Sequence, residues 1–257
     1  MRAMWKGVIR MKDLAVPVKL YSAVEDKAVR FRLLHEKDLA PVEQRMVNPA
    51  TDEAVEYGDI RRGYEVRPGV FVMLKDEELK QLDPAESRDI EVSGFVSPEL
   101  IDHRWYERPY FLGPDEDDEA YAQLHEALGS ADREGVVHWT MRKKAYVGSL
   151  RAVEEGLMIM TLRNTNEVVS AKDLPRPEGR DLDKREREMA RLLIDSLSTD
   201  LDMSEWQDFY RQRVMELIQT KAAGGEVKVK KFRAKKTTDD SLTKALEASL
   251  AKMRKGA

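Results

Sequence analysis

The stretch Asp59-Ile60-Arg61-Arg62-Gly63-Tyr64-Glu65-Val66-Arg67-Pro68-Gly69-Val70-Phe71-Val72-Met73-Leu74, continued by Lys75-Asp76-Glu77-Glu78-Leu79, decides the reading of this chain. Pro68-Gly69 marks a tight turn, because proline presets φ and glycine accepts positive φ. Val70 to Leu74 is an unbroken apolar run rich in β-branched and aromatic residues, and it reads as a strand buried on both faces. Asp76 suits an N-cap, with Glu77 to Leu82 as a short helix. Arg61 and Arg62 therefore stand at the entrance to β structure, where rigid backbone presents positive charge to an anion.

Upstream, Trp5 to Ile9 and Val16 to Tyr21 read as strands, with Pro17 at a strand start or an edge. Val29-Arg30-Phe31-Arg32-Leu33 alternates strictly, which predicts a strand with Arg30 and Arg32 on one face. Glu36 to Asp59 is polar and rich in breakers, with Gln44-Arg45-Met46-Val47 as a candidate strand within it. Downstream, Ile90 to Val96 alternates as a strand. The aromatics of Trp105 to Leu112, around Pro109, read as core filling rather than as a base-stacking platform. Glu119 to Gly129 carries Tyr121, Leu124 and Leu128 at helical spacing, with Gly129 as the stop.

Val136 to Met141 and Ala145 to Leu150 are strands joined through Arg142-Lys143-Lys144. That triplet is compact enough to meet two or three phosphates. It is also the composition of a plain solvent-exposed hairpin tip. If the strand continues through it, Lys143 points away from Arg142 and Lys144. Leu157 to Leu162 is a further buried strand. After the connector Pro175 to Gly179, Asp183 with Glu186 predicts a capping-box helix start, followed by the stripe Met189, Leu193 and Leu197. Ser204 with Gln207 predicts a second helix carrying Trp206, Tyr210, Val214, Leu217 and Ile218, closed by Gly224-Gly225.

Composition narrows the function. Charged residues are 36% of the chain, and the mean hydropathy is −0.58. No apolar run approaches the roughly 20 residues that cross a bilayer, and the start lacks the apolar core of a secretory signal. These features lead us to expect a soluble, cytoplasmic protein without a membrane partner. With no cysteine, disulfides, thiolate nucleophiles and cysteine-ligated zinc are excluded. The four histidines are scattered singly. No Gly-rich phosphate loop and no nucleophile–base arrangement is evident, so no catalytic residue, metal or cofactor is assigned and an enzyme is not expected.

The net charge of −4 is unevenly spread. Glu226 to Ala257 holds eight lysines and two arginines against four acids, a local +6, so the remainder carries −10. A local positive surface on such a body still suits a nucleic acid. Lys228, Lys230, Lys231, Arg233, Lys235 and Lys236 form a basic arm. Beyond it, Leu242, Leu246, Leu250 and Met253 share a helical face. That face either awaits a partner or belongs to a weakly ordered tail.

Five pieces in order carry a family resemblance. They are Met1-Arg2-Ala3-Met4-Trp5-Lys6-Gly7, Pro17-Val18-Lys19-Leu20-Tyr21-Ser22-Ala23, Arg61-Arg62-Gly63-Tyr64-Glu65, Tyr106-Glu107-Arg108-Pro109-Tyr110-Phe111-Leu112 and Leu192-Leu193-Ile194-Asp195-Ser196-Leu197. From Met1 to about Gly225 the chain resembles bacterial Ku, the DNA-end-binding protein of non-homologous end joining. The resemblance implies a mainly β protein with α elements: a Ku-core-like β-barrel with an extended arch (1–175), a helical arm (176–225) and a basic C-terminal tail (226–257). In the family an excursion near 36–59 helps build the arch. Members of the family can carry paired cysteines there; this stretch has none, so metal binding is not carried over.

The resemblance further implies a homodimeric ring that threads over double-stranded DNA ends of any sequence and recruits and stimulates an ATP-dependent DNA ligase. Its motifs support Arg2, Lys6, Arg61 and Arg62 as DNA-facing. Charge and placement add Arg142, Lys143 and Lys144, then Arg30, Arg32 and Arg45. The basic arm is the expected contact for DNA or ligase. Two other readings are a β-barrel that binds protein, and a body uninvolved in nucleic-acid binding carried by the tail alone.

Overall fold

The computed structural model describes residues 1–175, 179 and 181–224. The basic arm, the Leu242–Met253 face and Gly225 lie outside the described residues. The chain clusters into two compact units. One is Met1–Lys27 with Arg32–Ala171, and the other is Ala28–Phe31 with the chain from Lys172.

The first unit is built on a closed seven-stranded barrel. β1 (Trp5–Met11) and β2 (Leu14–Ser22) form a hairpin with Met11 opposite Leu14. The chain then leaves the barrel. It returns through β3 (Arg62–Arg67), β4 (Val70–Leu74) and α1 (Asp76–Gln81) before β5 (Asp89–Val96). β6 (Tyr106–Pro114), α2 (Asp118–Ala131), β7 (Glu134–Met141), β8 (Lys144–Val153) and β9 (Gly156–Leu162) complete it. Around the barrel the order is β1-β2-β6-β9-β8-β7-β5. Every pairing is antiparallel except the closure, where Val8, Ile9 and Arg10 run parallel to Asp89, Ile90 and Glu91.

Alternating strands fill the interior. Val16, Val18 and Leu20 of β2, Val137, Trp139 and Met141 of β7, and Leu157 and Ile159 of β9 are buried. Each such side chain contributes about 1.5–3 kcal/mol by leaving water. Pro17, which donates no hydrogen bond, sits just before the β2–β6 ladder begins at Val18 opposite Pro114. Leu124 and Leu128 of α2 join the same core. The Tyr121 hydroxyl donates to Leu112 O at 2.6 Å and accepts from Leu157 N at 2.8 Å. α2 thus covers the end of the barrel where β6 and β8 finish and β9 begins. Tyr110 and Leu112 are core residues, as the aromatic cluster predicts.

In the second unit, α3 (Lys184–Leu197) begins as the sequence predicts. Glu186 N donates to the Asp183 carboxylate at 2.8 Å, and the Glu186 carboxylate accepts from Asp183 N at 3.1 Å. α4 (Phe209–Ala222) follows a short 3-10 turn at Met203–Glu205. Its cap is Asp208, which accepts from Arg211 N at 2.9 Å, rather than Ser204. Trp206 therefore precedes the helix. Gly224 ends it at φ +78°.

The structure corrects several further expectations. β4 is a strand, but among the described residues it pairs only with β3 and no layer covers either face, so Val70, Phe71, Val72 and Met73 are exposed. Val29–Leu33 is irregular rather than a strand, and Gln44–Val47 keeps only a single bridge, Val47 to Ala54. Among the described residues neither segment has a second strand to complete a ladder. α1 starts one residue early, with Lys75 at the cap and its N–H donating to the Glu78 carboxylate at 2.9 Å. Gly129 lies inside α2, which ends at Asp132 in the left-handed region (φ 47°).

Gly148 of β8 is set by close packing. A Cβ there would meet the Trp139 ring at 2.7 Å and Met160 O at 2.8 Å. Overpacking of this kind costs about 1–3 kcal/mol. Gly148→Ala is expected to lower the unfolding free energy by that amount, read as a lower urea midpoint with an unchanged m-value. An unchanged midpoint would show that the Trp139 ring can move aside freely.

Candidate nucleic-acid interface

The barrel closure decides which side chains meet. β1 and β5 are parallel neighbours, so the start of β1, the exit of β2, the entry of β5 and the β7–β8 turn share one rim. This rim lies opposite α2, and the segment from Ala23 to Arg88 leaves from it and returns to it.

The β7–β8 connection is a two-residue turn, with Met141 opposite Lys144. Arg142 (φ 51°) and Lys143 (φ 63°) occupy its centre. Positive φ at both positions is the type I′ geometry that Asn-Gly ordinarily fills. Two long cationic side chains therefore stand in a backbone conformation that disfavours them by about 1–2 kcal/mol per residue. The strand does not continue through the triplet, so alternation stops at Met141. Lys144 opens β8 and places its Nζ 5.2 Å from the centre of the Tyr146 ring. Tyr146 in turn stacks on Trp139 at 5.2 Å and 16°. Such cation–π placement orients an ammonium without neutralising it.

α1 links this turn to the β3–β4 hairpin. The Arg62 Nε lies 3.8 Å from Asp76 at the start of α1, and the Lys143 Nζ lies 3.2 Å from Asp83 just beyond its end. Both pairs are exposed. Pairs of this kind contribute about 0–1 kcal/mol, so either cation can exchange its carboxylate for a phosphate at little cost. Arg61 precedes β3 and turns its Nη1 back to Gly58 O at 2.5 Å and Ile60 O at 3.0 Å. That bond pair makes it a brace for the start of the hairpin.

Other candidates lie apart. Lys6 of β1 and its cross-strand neighbour Lys19 share one carboxylate, Asp115, at 2.9 and 2.8 Å. Hydrogen bonds from Lys19 and then Lys6 hold the Asp115 carboxyl below its usual range. Lys6 is thereby committed to the barrel wall. Arg2 is exposed ahead of β1, while Arg32 and Arg45 are exposed on the irregular excursion. Arg30 belongs to the second unit. The basic-arm residues lie outside the described residues.

Two features were not singled out by the sequence. The first is Arg88, at the foot of β5. With Trp5, Glu86, Ser87, Thr140, Arg142 and Lys143 it lines a cleft of about 610 Å³ at the rim. In the sequence Arg88 is one charge in the mixed run Glu86-Ser87-Arg88-Asp89, and only the β5–β7 pairing brings it beside the turn. The second is Glu134, fully buried at the start of β7. It accepts from Tyr106 Oη at 2.9 Å and from Ser149 Oγ, and lies 3.2 Å from the Arg151 Nη1. This network ties β6, β7 and β8 together. Read in sequence, Asp132-Arg133-Glu134 is simply a polar turn.

The histidines do not converge. His35 meets Asp38, His125 meets Val153 O, and His138 meets Ser93, each at 2.8 Å. Among the described residues no three metal-ligating side chains group together, and no helix is long and apolar enough to cross a membrane.

A family model described as the Ku70/Ku80 beta-barrel domain matches residues 10–189. The chain is 35% identical over 250 residues to Non-homologous end joining protein Ku 2 of Geotalea uraniireducens, covering 97% of each chain. It is 33% identical over 259 residues to Non-homologous end joining protein Ku of Bacillus subtilis, covering 99% of this chain and 83% of that one. To the protein of that name from Mycobacterium tuberculosis it is 34% identical over 232 residues, covering 88% and 85%.

Burial, and then the hydrogen bond to Glu134, push the Tyr106 phenol up from 10.0 to about 12. The folded state holds this proton more tightly than the unfolded chain. The resulting stability is complete below pH 10 and is lost as pH rises towards about 12. Tyr106→Phe is therefore expected to flatten the fall in unfolding free energy across that window and to remove one late-titrating phenol from the absorbance curve. Loss of a phenol that titrates near 10 instead would show that burial and Glu134 do not hold this proton.

Proposed function

The chain belongs to the Ku β-barrel family, and on that premise we propose that it binds the ends of double-stranded DNA without regard to sequence, as a ring-shaped homodimer, in non-homologous end joining. The observation that carries this reading is the grouping of cations on one barrel rim. Arg142 and Lys143 stand on a two-residue turn with Lys144 at the start of β8, and Arg62 is joined to the same region through α1, in a chain whose net charge is −4. Guanidinium and ammonium groups contact phosphates, which supply affinity and carry no sequence information directly. A protein that must accept any broken end needs that kind of contact.

Enclosure by two copies would slow escape without adding base contacts. The uncovered β3–β4 hairpin supports it. Phe71 and Met73 share one face of the hairpin and are 60% and 64% exposed, and an uncovered apolar pair of this kind favours an interface. Arg30, Arg32, Arg45 and Arg2 are secondary candidates for the DNA surface, with Arg61 bracing Arg62 and Lys6 held to the barrel wall by Asp115. The lysine-rich arm from Lys228 to Lys236 is assigned to contact with DNA or with an ATP-dependent DNA ligase. The protein acts as a binding platform rather than as an enzyme.

Linear duplex is expected to bind far more tightly than the same DNA as a closed circle, measured by gel shift at fixed salt. Equal binding to the two forms would remove end recognition. Arg61→Glu combined with Arg62→Glu is expected to weaken binding equally on unrelated sequences. It should also lower the magnitude of the slope of log K against log salt by about one, for the phosphate contact of Arg62 that Arg61 braces. Wild-type affinity in that double variant would exclude the hairpin entrance from the interface.

A chain ended after Gly225 is expected to dimerise and to keep its preference for ends while altering ligase stimulation. Loss of the dimer would assign the tail to assembly, and loss of all DNA binding would assign binding to the tail.

A further inference from the structure

We propose that the rim cleft between Trp5, Arg88 and the β7–β8 turn is a seat for a phosphate monoester, the terminal phosphate of a DNA strand, rather than for an internal diester. This rests on the DNA-end reading above and adds to it a group that the end itself must carry. Two arginines make the site. Arg88 at the entry to β5 and Arg142 in the β7–β8 turn line the cleft, and neither guanidinium forms a hydrogen bond or ion pair with another described residue. Their planar forks are therefore available for the paired N–H contacts that phosphate oxygens accept. Lys143 adds a third cation, shared with Asp83 at 3.2 Å.

The hydroxyls of Ser87 and Thr140 lie on the same wall, and Glu86 is the one acid there. The lining thus carries a surplus of two positive charges. A monoester carries −1.5 to −2 near neutral pH, with three strong acceptor oxygens, whereas an internal diester carries one charge and continues in both directions along the strand. A concavity of about 610 Å³ walled by an indole admits a strand terminus. The half-buried Trp5 ring then offers a flat face to the last nucleotide, and stacking of that kind tolerates every base.

The test uses the full chain and a duplex closed by a hairpin at one end. The free end carries a 5′-phosphate, a 3′-phosphate or hydroxyls only, and binding is read by fluorescence anisotropy at fixed ionic strength. One phosphorylated end is expected to bind about tenfold more tightly than the hydroxyl end, the size of one hydrogen bond to a charged group. The arm that gains identifies which strand terminus is read. Arg88→Gln is expected to abolish the difference while leaving the hydroxyl end within about twofold of wild type. The difference should also narrow as pH falls through about 6, where the monoester loses its second charge.

Equal binding of all three ends by the wild-type protein would overturn the inference and leave end binding intact. A difference that survives Arg88→Gln would also overturn it. Failure to bind any of the duplexes would overturn the functional reading and this inference with it.

Discussion

Closure of the barrel through the parallel pairing of Val8–Arg10 with Asp89–Glu91 is the constraint on which the rest of this structure depends. Parallel neighbours cannot be joined by a tight hairpin. Here β1 first turns back as β2, so the chain stands at the rim when it must cross to the foot of β5. That crossing is the point at which Ala23 to Arg88 is inserted. The insertion can protrude, remain polar and carry an uncovered hairpin because the barrel core is complete without it. Both of its ends are anchored in the ladder, so the residues at its roots are positioned by the barrel's own hydrogen bonds.

The same closure turns a modest number of cations into a local field. The body of the chain is acidic in sum, and its ion pairs at the rim are exposed. Exposed pairs are weak and screened by salt. Asp76 and Asp83 thus hold Arg62 and Lys143 in place without strongly neutralising them. Lys6 and Lys19 show the contrast, converging on the mostly buried Asp115 in the barrel wall. Charge type is equal in these places, and burial of the partner acid determines which cation remains available to a ligand.

The β7–β8 turn shows a local rule yielding to position. A two-residue turn of this hand favours Asn-Gly, yet Arg142 and Lys143 occupy it. Strained backbone collects where function needs a side chain held still. Seven ladder pairs between β7 and β8 and the Trp139–Tyr146 stack hold the turn in register. A flexible loop with the same two residues would lose more entropy on meeting an anion.

Alternation and capping were legible in the residues themselves. Val16, Val18 and Leu20, Ile90 to Val96 and Leu157 to Leu162 announced strands, and Asp183 with Glu186 announced the start of α3, because a period of two and a capping box are short-range patterns. The Ku resemblance supplied the barrel. Local pattern could not say that Val70 to Leu74 would lie uncovered, since an apolar run looks the same whether or not another layer packs on it. It could not say that Val29–Leu33 would lack a partner strand among the described residues, nor which two residues of the hairpin-tip triplet Arg142-Lys143-Lys144 would form the turn. Glu134 and Arg88 were hidden for the same reason. Their surroundings are assembled from strands far apart in the chain, and burial, pairing and the convergence of charge are properties of that assembly. The chain by itself determined which segments can be strands and where its cations lie along the backbone. Tertiary structure alone decided which of those cations share a rim, because only ring closure of the sheet brings β1, β5 and the β7–β8 turn side by side.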